Sequence, residues 1–285
     1  SIVQAQIKKI ESGFARPIGY PKTQIKKIGV IGAGLMGHGI SLVCSLNGIE
    51  VILLDKTEEL ATLGLLKINE ILKNKLDCKE ISSNKIEETL RLIEVTDDFS
   101  LLKDCDLIIE AVFEDERLKS DIIKKFKKIM NDNVILSSNT SSIPISILAK
   151  HSTYPENFIG IHFFSPVHKM KLVEVIRTKE TSLQTIAKVF DFITQIKKIP
   201  ILVNDGPGFY TTRVFMRYVM EGMALLSEGC SPRSIESIGK KAGFPVGPLT
   251  VLDEIGLKVA YKIRSENKKS LNKRMMDSID GAWDN

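Results

Sequence analysis

Apolar residues arrive in two rhythms along this chain. Up to residue 204, short continuous apolar runs alternate with longer stretches whose apolar positions recur at helical spacing. The runs at 25–31, 51–54, 107–112, 134–137, 158–164, 172–176 and 201–203 read as strands. Between them, 40–46, 118–130 and 183–196 read as helices. Residues 58–92 read as two solvent-facing helices, with Leu60, Leu63, Ile68, Ile71, Leu72 and Leu76 at helical intervals. After Asp205-Gly206-Pro207-Gly208 the strand rhythm stops. A helical pattern covers 210–227, with Val214, Tyr218, Met223 and Leu226 near one face. Ser231-Pro232 is a helix start, and after Gly243-Phe244-Pro245 a further pattern covers 249–263. The predicted plan is an N-terminal helix and linker (1–24), an α/β domain (25–204) and a smaller all-helical domain (205–285).

Residues 28–39 read Ile-Gly-Val-Ile-Gly-Ala-Gly-Leu-Met-Gly-His-Gly. An apolar strand runs into Gly32-x-Gly34-x-x-Gly37 and an apolar helix follows. The first glycine permits a tight turn, the second lets a pyrophosphate approach the backbone, and the third lets helix pack on strand. Asp55 closes the next strand about twenty residues beyond Gly34, where a carboxylate can accept bonds from a ribose diol. A glycine turn in an ordinary βα unit is the plain alternative; the strand, the helix and the spaced acid together argue against it. The fold predicted is α/β, a Rossmann-type doubly wound parallel sheet followed by the helical domain.

At 285 residues the chain can bury a full core in two domains. Its net charge of +5 comes from lysines spread thinly along helices, without the basic block that nucleic-acid binding needs. No apolar run is long enough to span a membrane. Cys44, Cys78, Cys105 and Cys230 show no CxxC or metal-ligand spacing, so no metal site is expected. They read as reduced, mostly buried thiols of a reducing compartment. The first residue is Ser rather than Met, which leads us to expect a piece of a longer polypeptide.

In an open α/β sheet, ligands bind beyond the carboxyl ends of the strands. Three polar clusters fall there: Glu114, residues 138–142, and His162 with Ser165. Taken singly each has a plain reading, as a solvated acid, a helix cap and a structural histidine. Histidine is the natural base for an alcohol proton near neutral pH. Of the four, His38 sits in the glycine loop, His151 in a loop, and His168 in a turn where it reads as exposed. His162 and Glu174 each interrupt an apolar run, where an unpaired polar group is costly. If the two strands pair through the turn at 166–170, these side chains can meet, and a carboxylate then fixes the imidazole tautomer.

These segments carry a family. Gly32-Ala33-Gly34-Leu35-Met36-Gly37, Glu110-Ala111-Val112-Phe113-Glu114, Ser138-Asn139-Thr140-Ser141-Ser142, His162-Phe163-Phe164-Ser165-Pro166-Val167, Met170-Lys171-Leu172-Val173-Glu174, Gly206-Pro207-Gly208-Phe209 and Gly243-Phe244-Pro245-Val246-Gly247-Pro248 stand in the order found in the 3-hydroxyacyl-CoA dehydrogenases. The chain resembles that family over about residues 25–263. The resemblance implies NAD as cofactor, an acyl-CoA substrate, and oxidation of an L-3-hydroxyacyl-CoA to the 3-ketoacyl-CoA in fatty-acid β-oxidation. By the same resemblance His162 is the base, Glu174 its orienting acid, and Ser141 the group that bonds the substrate oxygen. Gly32, Gly34, Leu35, Met36, Gly37, Asp55, Glu114, Lys119 and Asn139 become cofactor contacts. Ser165 and Thr212 depart from the single-function enzymes, which carry Asn at both places. In this the chain is similar to the dehydrogenase portion of multifunctional enzymes, with Thr212 near the nicotinamide. Nothing after Ile263 matches the family's closing segment. The resemblance further implies a homodimer joined through the helical domain, with Met216, Met220 and Leu257 as its apolar surface, or a thiolase-type partner subunit. It implies the cytoplasm, mitochondrial matrix or peroxisome as location.

Overall fold

The computed structural model describes residues 14–126 and 133–255, together with Ala5, Lys8 and Lys9. The chain forms two compact units, Ser1–Gly206 and Pro207–Asn285.

The first unit holds strands β1 (Lys27–Ile31), β2 (Glu50–Leu54), β3 (Ile93–Thr96), β4 (Leu107–Glu110), β5 (Ile135–Ser138), β6 (Phe158–Phe163), β7 (Leu172–Arg177) and β8 (Ile199–Asn204). They form one eight-stranded sheet in the order β3-β2-β1-β4-β5-β6-β7-β8. Neighbours run parallel except β6 and β7, which are antiparallel. The helices are α1 (Leu35–Leu46), α2 (Glu58–Asp77), α3 (Ser83–Arg91), α4 (Glu116–Lys125), α5 (Ile145–Ala149) and α6 (Leu183–Gln195). This is the doubly wound, Rossmann-type sheet that the patterning predicts. The central strands read as unbroken apolar runs because helices cover both their faces, and Ile28, Val30, Leu53, Leu107 and Ile109 are buried in one continuous core. Winding reverses between β1 and β4, so a crevice opens at their carboxyl ends.

Side-chain caps explain where the helices begin. Thr57 accepts the Leu60 N–H at α2, Ser82 the Lys85 N–H at α3, Asp115 the Leu118 N–H at α4, and Ser182 the Thr185 N–H at α6. Strand β3 is an addition to the predicted elements. It is an edge strand, Ile93-Glu94-Val95-Thr96, whose exposed Glu94 interrupts the apolar run by which the other short strands are read. The helix predicted at 118–130 starts at Glu116, and its predicted end at 127–130 lies outside the described residues. The N-terminal helix predicted at 1–10 lies outside them too, apart from Ala5, Lys8 and Lys9.

The predicted linker is pinned rather than loose over its described part. Arg16 donates Nε to Asp191 Oδ1 at 2.7 Å and Nη2 to Asp191 Oδ2 at 2.9 Å, a two-pronged pair onto α6. Thr23 adds its N–H to the same carboxylate, and Gln195 bonds both backbone groups of Ile25. Two further expectations need correction. Only Cys44 and Cys105 are buried, while Cys78 and Cys230 are exposed. His168 is half-buried, and burial lowers its pKa.

The second unit holds α7 (Thr211–Ser227), α8 (Pro232–Lys241) and α9 (Pro248–Ile255). Ser231 caps α8 on the Ser234 N–H with Pro232 in the first turn. Glu236 accepts the Leu249 and Thr250 N–H groups and so caps α9. The predicted face of α7 is rotated in part: Val214 and Leu226 are exposed, Met223 keeps its contact with the core, and Met216, Val219 and Met220 pack with Val251 and Leu252. Met216 and Met220 are therefore core residues and not the self-association surface expected of them. Leu257 and the predicted helical stretch 256–263 lie outside the described residues.

Candidate active site

A cavity of about 1010 Å³ follows the carboxyl ends of the strands from β3 to β6. Every residue lining it belongs to the first unit. It can be walked along the sheet edge, beginning at the glycine loop.

Gly32 has φ +95°, and a Cβ there would stand 2.8 Å from the Ala111 carbonyl oxygen. A Cβ on Gly37 would stand 1.6 Å from the Gly32 carbonyl oxygen, so the helix approaches the glycine loop this closely only because residue 37 is glycine. Gly34 is different, because a Cβ there would meet nothing within 4 Å. It is the N-cap of α1, no side chain caps it, and the first turn holds no acid. That leaves open space over a positive helix terminus, which fits a pyrophosphate. Leu35 and Met36 line the same wall, and Gly37 lies buried behind it. Asp55, just past β2, accepts the Ala33 N–H at 2.7 Å and lines the cavity. It ties the glycine loop to β2 and presents a carboxylate where a ribose would lie. The residues present thus fit a dinucleotide.

Past β4 lies a buried network. Lys119, on α4, is 1% exposed and donates to Glu110 at 2.9 and 3.2 Å, to the Val112 carbonyl at 3.2 Å, and pairs with Glu114 at 3.3 Å. Glu110 is fully buried and also accepts the Val112 N–H at 2.7 Å and the Ser138 hydroxyl at 2.6 Å. Glu114 Oε1 accepts from the Thr140 hydroxyl at 2.6 Å and from the Ser141 and Ser142 N–H groups and hydroxyls at 2.9 to 3.3 Å. Burial alone would push the Glu114 carboxyl up. The Lys119 charge and the donors from Thr140, Ser141 and Ser142 outweigh burial and hold it below the usual carboxylate range. Asn139, which lines the cavity, accepts the Phe163 N–H through Oδ1 at 2.8 Å and so locks the end of β5 onto β6.

His162 and Glu174 face each other across the antiparallel β6–β7 pair. His162 Nδ1 lies 2.7 Å from Glu174 Oε2, with His162 7% exposed and Glu174 0%. Phe164 lies against the imidazole at 4.5 Å between ring centres. The turn between the strands is held by Lys198, whose buried ammonium donates to the Val167 and Met170 carbonyls at 2.6 and 2.5 Å. Its desolvation lowers the Lys198 pKa. Ser165 lines the cavity at the start of this turn.

The structure therefore gathers Leu35, Met36, Asp55, Glu114, Lys119, Asn139, Ser141 and His162 around one cavity, with Glu174 behind His162. Thr212 sits in the second unit, half-buried in the first turn of α7. Sequence reasoning missed Glu110, Lys198 and Asp205. Asp205 accepts the Ile145 and Ser146 N–H groups and anchors the chain just after the 138–142 cluster. Each left a signal: a charge inside an apolar run, or next to a strand, needs a partner.

The profile of the 3-hydroxyacyl-CoA dehydrogenase NAD binding domain matches residues 27–206, and that of the 3-hydroxyacyl-CoA dehydrogenase C-terminal domain matches 208–280, past Ile263, the expected end of the resemblance. The chain belongs to the 3-hydroxyacyl-CoA dehydrogenase family. Among solved structures, this dehydrogenase is similar to (S)-3-hydroxybutyryl-CoA dehydrogenase from Ralstonia eutropha, at 33% identity and TM-score 0.83, covering 88% of this chain and 90% of that one. It is similar to FadB2 of M. tuberculosis at 30% identity and TM-score 0.83, covering 89% and 90%. The dehydrogenase part of multifunctional enzyme 1 from C. elegans matches at 27% identity and TM-score 0.66, covering 94% of this chain and 64% of that one. The cofactor of the dehydrogenase is NAD, in keeping with the glycine loop and Asp55. No helix among the described residues is long and apolar enough to cross a membrane.

Proposed function

We propose that this chain oxidises an L-3-hydroxyacyl-CoA to the 3-ketoacyl-CoA with NAD as hydride acceptor, as a step of fatty-acid β-oxidation. The observation that carries the reading is the buried His162–Glu174 pair, at 2.7 Å, in the wall of a cavity that also holds the glycine loop. With Nδ1–H donating to Glu174, the neutral imidazole carries its lone pair on Nε2, the atom that takes the 3-hydroxyl proton. Glu174 then stabilises the imidazolium. Ser141 bonds the substrate oxygen by turning its hydroxyl away from its long 3.3 Å contact with Glu114, which keeps the Ser141 N–H, and Asn139 and Glu114 hold the surrounding wall. NAD, when bound, supplies the acceptor for the hydride leaving C3. Shielding of His162 by Phe164 keeps bulk water from the proton being moved.

Support for a 3-hydroxybutyryl group comes from the Ralstonia eutropha relative, described as a 3-hydroxybutyryl-CoA dehydrogenase. Ser165 and the similarity to the C. elegans enzyme support a multifunctional setting. Reduction of acetoacetyl-CoA by NADH, followed at the NADH absorbance, is the direct test. No turnover by intact, folded protein would refute the assignment. Comparing C4 with C16 substrates then ranks chain length. Self-association, proposed from the family, is read by light scattering.

A further inference from the structure

The charged groups of the cavity are unevenly distributed along the sheet edge. At the end under β2 and β3, the lining charges are Asp55, Asp97, Lys56 and Lys125, two of each sign. At the end under β4 and β5, two carboxylates, Glu110 and Glu114, share a single ammonium, that of Lys119. Glu110 is engaged by donors on both oxygens. Its Oε1 accepts from Lys119 and from the Val112 N–H, and its Oε2 from Lys119 and the Ser138 hydroxyl. Three donor groups, in four contacts, cover both oxygens. Glu114 is likewise surrounded by donors from Thr140, Ser141 and Ser142. Glu110 and Lys119 are 0% and 1% exposed, so water and salt screen their field weakly.

We propose that Glu110, Lys119 and Glu114 act as one unit of net negative charge that makes this site favour the oxidised, cationic nicotinamide over the reduced, neutral one, with the buried Glu110 as its fixed source. The inference rests on the function proposed above. There the redox end of the cofactor must lie where His162 and Ser141 reach the substrate, and Ser141 is bonded to Glu114 itself. NAD⁺ and NADH share their pyrophosphate and both riboses, so contacts to these cancel in the ratio of the two affinities. The difference that survives is the ring charge. Glu174 adds a carboxylate at the same end, engaged by His162, and is common to every variant compared. Glu110 is a positioning residue, since it reaches the cavity only through Lys119, Val112 and Ser138.

The test measures dissociation constants for NAD⁺ by calorimetry and for NADH by fluorescence, in the unaltered protein and in Glu110→Gln. Glutamine keeps the size and one acceptor oxygen while removing the charge. The ratio Kd(NAD⁺)/Kd(NADH) is expected to rise at least ~3- to 10-fold, since one unit charge ~4 Å away is worth about 1 kcal/mol even when bulk water screens it fully, and more where screening is weaker. A residue that only held the loop would weaken both forms together and leave the ratio unchanged, and that result overturns the proposal. Should Glu110→Gln fail to fold, Glu114→Gln removes a charge of the same unit from a side chain 27% exposed. The same rise is expected there, and an unchanged ratio overturns the proposal equally. Failure of the unaltered protein to bind either form would instead refute the function on which the inference rests.

Discussion

His162 and Glu174 show what one residue in the wrong company implies. Each stands alone as a polar position in an apolar run, and that cost is what made their pairing legible before any geometry. The structure puts them in register and in contact. Glu110 obeys the same logic inside the run at 107–112, which reads as a plain apolar strand. Its partner Lys119 lies on the following helix, at a spacing no short motif reports. Changing His162 to Gln should lower kcat roughly 10²- to 10⁴-fold, the usual worth of a positioned acid–base group. Glu174→Gln should lower it too, and the double variant should lose less than the product of the two, since the pair acts as a unit. Steady-state kinetics with NADH affinity measured in parallel decide this; full activity in the His162 variant overturns the mechanism. Asp55 carries a second expectation, preference for NAD over NADP, because its carboxylate opposes a 2′-phosphate. Fluorescence titration with NADH and NADPH checks it, and equal affinities refute it.

Elements proved legible where a period was long enough to count. The helices opened by Thr57, Asp115 and Ser182 begin at their caps, whereas β3 was hidden because its exposed Glu94 breaks the apolar run that marks the equally short β4 and β5. The pinned segment before β1 was illegible for another reason. Arg16 and Asp191 are 175 positions apart, and nothing local records that they meet. Burial by itself pushes the Asp191 carboxyl up. The Arg16 guanidinium and the Thr23 donors outweigh it and hold the carboxyl below its ordinary range. A depressed carboxyl stabilises the fold above its unfolded value of about 3.9, and that stabilisation is lost as pH falls through the folded value. Asp191→Asn should therefore cost about 1–2 kcal/mol at neutral pH. The gap between variant and unaltered protein should narrow near pH 3. Thermal unfolding at both pH values checks this, and a gap of constant size would separate the carboxylate from the effect.

On the scale of the whole molecule, the two units differ in what they are built to do. All the cavity lining comes from the first, and its core runs continuously beneath the sheet. The second has a core of its own around Met216, Val219, Met220, Val251 and Leu252. The switch from strand to helix rhythm after residue 204 announced this division, while the rotated face of α7 escaped because a helix apolar on several sides does not declare which stripe is buried. Separate cores allow the units to be perturbed separately. Met216 is 6% exposed, so Met216→Ala removes most of a buried side chain and should cost about 2–5 kcal/mol of stability. The cost should fall on the second unit, with its helical signal melting at lower temperature. NADH affinity should change less than roughly twofold below that transition, because none of the atoms lining the cavity has been disturbed. Calorimetric melting with NADH titration at 20 °C below the first transition measures both quantities. A loss of NADH affinity in step with the loss of stability would mean that the cofactor site draws on the second unit's core, contrary to the division of labour argued from the lining residues.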